Sequence, residues 1–292
     1  MHDGPTDGSG WEGRIARGFR LARVSLEVLA ADRRLMLLPM LSALCALIAV
    51  LATATIARRL DGGGGSAVQV IAPVWIAAYA ISFITIFFNA ALAHVIVRRW
   101  QGEPVSLAAG VAAACWRAPA IAGWAILTTT VGFVLQLLER LTLGISRMVL
   151  GVAWSVTSFF VVPVLVVERR RPVRALRRSS EIVRERWAEG IGGVTPIALA
   201  TLMVALPLAG LMFIGFVLYV TGFEAPGLLA MTAGLLAIVA VWIISAAVTQ
   251  VFALAVFQHA TGRPYYDGFP ASDLERPRDG KPSRLRRRMR NR

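Results

Sequence analysis

The sequence predicts an all-α polytopic membrane protein, with six transmembrane helices paired as three hairpins and amphipathic helices on the cytoplasmic side. Three observations predict it. Six apolar stretches lie between Leu35 and Phe257, each near the roughly 20 residues that a hydrocarbon core of about 30 Å requires of a helix. The 292 residues are 57% hydrophobic and only 16% charged, with mean hydropathy +0.64, a composition at odds with a water-soluble globular domain. The cations, finally, divide unequally between the two sides that six spans would separate. Twenty-seven of the 31 Lys and Arg fall in one set of loops and termini, and only Arg58, Arg59, Arg140 and Arg147 in the other. Positive residues stay inside, so both termini are expected in the cytoplasm of a bacterial inner membrane.

The first ten residues read as disordered. Residues 11–34 follow as a helix, because Trp11, Ile15, Phe19, Ala22, Leu26 and Leu29 recur on one face. Arg14, Arg17, Arg20 and Arg23 lie off that stripe, which suits a helix in the membrane interface with its cations on phosphate. Packing of the same stripe on the protein's own spans is the alternative. The spans are expected at 35–57, 70–97, 118–138, 149–167, 192–220 and 228–257. A signal peptide cleaved near Ala52-Thr53-Ala54 competes for the first span, but the patterned segment ahead of it is too long for an ordinary leader.

Between the second and third spans, Pro104 to Arg117 is expected to be a short apolar helix capped by Ser106. Between the fourth and fifth, a helix is expected from Pro172, a suitable first helical residue. Val173, Leu176, Val183 and Trp187 would share its apolar face, opposite Arg174, Arg177, Arg178, Glu181, Arg184 and Glu185. A solvated or headgroup-facing surface is preferred there to a nucleic-acid site. Short helix, span, span thus recurs three times, and Pro104-Val105 with Trp116 echoes Pro172-Val173 with Trp187. Pro163, Pro196 and Pro207 are expected to kink their spans. Asp61 to Ser66 is a glycine linker without the Lys-Ser/Thr ending of a phosphate loop. The tail from 263 to 292 is basic, polar and expected to be disordered.

Chemistry is sparse. None of the 17 acidic residues falls inside a span, which counts against a proton-coupled pump. Cys45 and Cys115 lack the spacing of a metal site or a disulfide framework, and no motif of a hydrolase, zinc enzyme or dinucleotide binder occurs. No enzyme activity, cofactor or metal is expected. Neutral polar residues in the spans, among them Thr128, Thr129, Thr157, Ser158, Ser245 and Thr249, are expected to bond between helices or back to their own. Asn89, His94, Glu168, Gln250 and His259 all fall toward the cytoplasmic ends, where they could line a polar vestibule.

The stretches Arg14 to Ala22, Val162-Pro163-Val164 through Glu168, Pro172-Val173 through Trp187, and Phe257 to Gly262 with Gly268-Phe269 resemble a family of bacterial multi-pass membrane proteins without an assigned activity. They are also distantly similar to the membrane domain attached to some glycerophosphodiester phosphodiesterases, whose chemistry resides in a separate domain. The resemblance implies a six-span fold and supplies no catalytic residue.

The expected function is that of a non-enzymatic membrane component that interacts with lipid or with a protein partner. Anionic phospholipids would meet Arg14, Arg17, Arg20, Arg23, Arg174, Arg177 and Arg178, and a partner protein or a second copy of the chain is the other candidate contact. Nucleic acid is not expected, since the cations sit in short segments beside spans rather than on a folded basic surface. A permease or exporter of a small or amphiphilic solute is the alternative reading.

Overall fold

A computed structural model describes residues 23–60, 67–141, 145–186 and 194–263. The candidate contacts Arg14, Arg17 and Arg20, the glycine linker, Trp187 and the tail from 264 onward lie outside the described residues.

The described chain is helical throughout. Residues 23–31 form α1, and a 3-10 turn at Arg33–Met36 leads into α2 at Leu37–Leu60. Then follow α3 (Ala67–Trp100), α4 (Leu107–Trp116), α5 (Ala118–Leu141), α6 (Ile145–Ser158), α7 (Val161–Val167), α8 (Pro172–Arg186), α9 (Val194–Val220) and α10 (Glu224–Ala260). Six segments are long and apolar enough to cross a membrane, with α6 and α7 together making the fourth. Helices are one of the two ways to satisfy every backbone polar group in lipid. Ser106 caps α4 as expected, its hydroxyl accepting from the Ala109 N–H at 3.2 Å. The proline echo is looser than it looks in sequence: Pro172 opens α8, whereas Pro104 precedes the α4 cap by two residues.

The fourth span is broken at Phe159–Phe160. Pro163 has no N–H, and its ring crowds the carbonyl four residues back, which is that of Phe159. The freed Phe160 N–H is taken by Ser179 of α8: its buried hydroxyl accepts from that N–H at 3.1 Å and donates to the Thr157 carbonyl at 2.6 Å. Ser179 thus answers one donor and one acceptor of the break from outside the span.

One apolar core forms, and it sits at one end of the helices. It joins Leu29 and Leu35, the stretch Ala90–Val97 of α3, Ile121 and Trp124 of α5, Phe160–Leu165, and Ala247–Phe257 of α10. Phe160 meets Phe257, and Phe159 meets Phe252, at ring-centre distances of 6.4 Å each. Helices α3 and α10 overrun the membrane: 34 and 37 residues span about 50 and 55 Å at 1.5 Å per residue. At the core end α4 and α7 pack on α3, α3 and α7 pack on α10, and α8 packs on α5, α6 and α7.

Close approach needs small residues. A Cβ on Gly110 would stand 2.8 Å from the Ala91 carbonyl oxygen of α3, and one on Gly227 would stand 2.5 Å from the Tyr219 backbone nitrogen of α9. Backbones this near leave room for hydrogen alone.

The protein-facing sides of the two amphipathic segments coincide only in part with their apolar stripes. In α1, Ser25 and Leu29 are buried while Leu26 is 45% exposed. In α8, Ala175, Ser179 and Ile182 face the core, flanked by Leu176 and Val183, and Val173 is 71% exposed. Small side chains fit where α8 presses on α5 and α7, with the Pro172 ring 3.2 Å from where a Cβ on Gly123 would stand.

Candidate functional site: a cationic cavity at the packed end

Each short helix brings charged residues to the packed end, and most of them pair. Asp32, which caps the 3-10 turn, accepts from the Arg34 N–H at 2.9 Å and forms an ion pair with Arg99 of α3. The Arg99 hydrogen bond holds the Asp32 carboxyl below its ordinary value, overcoming the opposing effect of desolvation. Arg98 pairs with Glu103 at 2.5 Å. Glu168, at the end of α7, is nearly enclosed and pairs with Arg170 at 2.7 Å and Arg178 at 3.3 Å.

Arg169 stands between those partners in a different state. Its φ of +53° makes it the one left-handed residue other than glycine among the described residues, a conformation costing about 1 kcal/mol for an L side chain. The turn folds Arg170 back onto Glu168 and leaves the exposed Arg169 side chain without an ion pair or hydrogen bond among the described residues. Arg117, at the junction of α4 and α5, likewise has no partner among the described residues. Both line a cavity of about 450 Å³, with His94 of α3 and the exposed Trp116, over a small apolar floor that includes Ala90 and Ala114. Burial lowers the Arg117 guanidinium from its ordinary value, and the charge of Arg169 adds to the effect. An arginine stays protonated even so, and the cavity holds two cations in mutual repulsion.

The five residues expected to share a vestibule are not gathered in this cavity. His94 lines it; Glu168 lies next to Arg169 in sequence but is spent on its own ion pairs. Asn89 is half-buried on α3, and His259 is half-buried near the end of α10 and has an interaction partner. The buried Nε2 of Gln250 makes no hydrogen bond. Gln258 is fully buried and neither of its side-chain amide atoms has a partner, a feature that composition and spacing had not singled out.

Among the described arginines expected at headgroups, Arg23 and Arg177 are more than 80% exposed in single-turn pairs with Glu27 and Glu181. Arg174 is exposed. Arg178 is drawn inward to Glu168. Arg117, Arg169 and Trp116 were missed as a group because two separate junctions supply them, α4–α5 and α7–α8; the only local signal was the run Arg169-Arg170-Arg171 ahead of Pro172.

The neutral polar residues behave as expected of a bundle. Thr128, Thr157, Ser158 and Thr249 donate to carbonyls of their own helices. Thr129 reaches Ser82 across α5 and α3 at 3.2 Å, and Thr201 meets Ser245 across α9 and α10 at 2.6 Å. Among the described residues no group of three His, Cys, Asp or Glu could hold a metal ion.

No curated protein and no solved structure matches the chain significantly. A family of unknown function, DUF6159, matches residues 67–265, which takes in α3 through α10 and the whole cavity. Over more than half its length the sequence follows that family, and the chain belongs to it.

Proposed function

We propose that the chain is a non-enzymatic protein of a bacterial cytoplasmic membrane, built of three helical hairpins, whose Arg-rich end faces the cytoplasm and engages anionic phospholipid headgroups. The observation that carries this reading is the coincidence of unpaired cations with the packed end of the spans. Arg117 and Arg169 lie at a cavity there, and the exposed Arg23, Arg174 and Arg177 surround the same end. Each cation near an anionic surface contributes about 1 kcal/mol of attraction. The apolar closure of the core by Phe, Val, Leu and Ala supports a bundle over a channel. The distant likeness to membrane domains of glycerophosphodiester phosphodiesterases belongs to this reading, as a likeness of scaffold.

A permease or exporter remains the second reading, favoured by the orphaned amides of Gln250 and Gln258, since buried polar atoms without partners are where a solute would bind.

The test is purification of the full chain from native membranes in mild detergent, with retained lipids and proteins identified by mass. The expected result is enrichment of anionic phospholipids over their share of the membrane. Retention at bulk proportions, together with a co-purified small solute, would replace this reading with the second.

A further inference from the structure

The cavity beside His94 has more charge than its own protein answers. We propose that it is a binding site for one phosphate group, held between the guanidinium groups of Arg117 and Arg169, with a phospholipid headgroup as the expected source. The inference deepens the lipid-facing reading and rests on it only for that source.

Charge bookkeeping leads to it. The nearest acidic groups in sequence are already committed: Glu168 to Arg170 and Arg178, and Glu103 to Arg98. Neither Arg117 nor Arg169 has a partner among the described residues. Arg117 is half-buried and Arg169 is exposed at the mouth of an open cavity floored by Ala90 and Ala114, where two like charges repel and an anion between them is attracted to both. Burial first, and then the charge of Arg169, lower the Arg117 guanidinium from its ordinary value. Arginine is suited to phosphate because its planar fork donates two parallel hydrogen bonds.

The backbone at Arg169 points the same way. A left-handed residue that is not glycine persists only where its surroundings hold it, and such residues cluster at binding sites. Here the Glu168–Arg170 pair holds the turn. His94 lies close enough to Arg98, Arg169 and Glu103 to share their field, and it offers a further donor on the α3 side.

Trp116 argues for a lipid source. It is 89% exposed at the end of α4 and lines the cavity, and tryptophan is enriched at headgroup depth. A volume of about 450 Å³ lies within the range of small-ligand pockets. It suits a phosphate and its ester group, with acyl chains left outside.

The test titrates the full-length chain, in neutral detergent, with short-chain phosphatidylglycerol or with inorganic phosphate, and counts bound species by native mass spectrometry. Wild type is expected to hold one phosphatidylglycerol per chain. Arg117→Gln and Arg169→Gly each weaken that binding about tenfold, and Arg184→Gln, on an exposed face of α8, leaves it unchanged. Arg169→Gly separates binding from folding: glycine favours the backbone conformation at 169, so the variant melts no lower than wild type while it loses the ligand. If inorganic phosphate binds with the same dependence on both arginines and lipid does not, the site stands and the lipid-facing reading falls. If lipid binds wild type and both variants equally, the site is overturned and the lipid-facing reading survives. One-to-one binding of neither probe overturns the site.

Discussion

From Val251 to Gln258 every residue of α10 is buried by protein, while between Leu228 and Ile244 the same helix leaves Leu229, Leu236 and Trp242 about 70% exposed. The contrast extends across the molecule. Residues at the packed end of α3 are almost fully enclosed, and those of α9 are open along most of its length, with Ile197 near its start as an exception. The difference teaches where burial has a driving force. Lipid tails are as apolar as leucine, so a leucine in mid-membrane gains nothing from turning toward another helix. Beyond the hydrocarbon the overrun of α3 and α10 would meet water, and there apolar side chains must be covered. For α3 the short helices α4 and α7 supply that cover, and α10 is covered there by α3 and α7.

If packing in the open region rests on close backbone contact rather than on side-chain burial, Gly227 is its most sensitive point. Gly227→Leu should separate α9 from α10 and cost about 3 kcal/mol, the upper range for overpacking, seen as a fall in melting temperature in detergent. Gly132→Ala is the control, because a Cβ there meets nothing within 4 Å; it should be neutral or add up to about 1 kcal/mol through helix propensity. Equal effects at both glycines would break the contrast.

A second comparison sets the two ends of α10 against each other. Phe252→Ala, in the packed region, loses apolar burial and leaves a cavity, costing about 3 kcal/mol. Leu236→Ala, on the open face, should change stability by less than about 0.5 kcal/mol. Matched losses would mean that the open face is covered by a partner. The smallest effect concerns the broken fourth span. Ser179→Ala strands the buried Phe160 N–H and should cost about 1 to 2 kcal/mol, whereas Ser180→Ala, whose hydroxyl only back-bonds to Arg177, should be near neutral.

How much of this was legible in the chain follows from the same contrast. Six helices could be read because length and apolar content are set by the bilayer, and Ser106 could be read because a cap is a local bond. Helix faces could not. In α9 and α10 apolar residues encircle the helix, so no stripe distinguishes a lipid side from a protein side. In α8 the stripe is present, but the tight contact with α5 and α7 chose Ala175 and Ser179 over Val173. The cavity was illegible for a different reason. Arg117 and Arg169 come from two junctions and His94 from within α3, and Arg169 is set apart from Arg170 only by the left-handed turn that returns Arg170 to Glu168. Counting charges gives the side of the membrane; only the pairing shows which charges are left over.

Sidedness is the central claim, and cysteine labelling with a membrane-impermeant thiol reagent tests it most directly. Cys115 is exposed at the packed, Arg-rich end, and Thr221 is exposed in the turn between α9 and α10 at the open end. Ser179 would be uninformative, since burial alone shields it. With Cys45 replaced by Ala, native Cys115 is expected to react only after cells are permeabilised. Thr221→Cys, in a chain also lacking Cys115, is expected to react in intact cells. Labelling of Cys115 from outside, with Thr221→Cys protected until permeabilisation, would turn the molecule over and contradict the account.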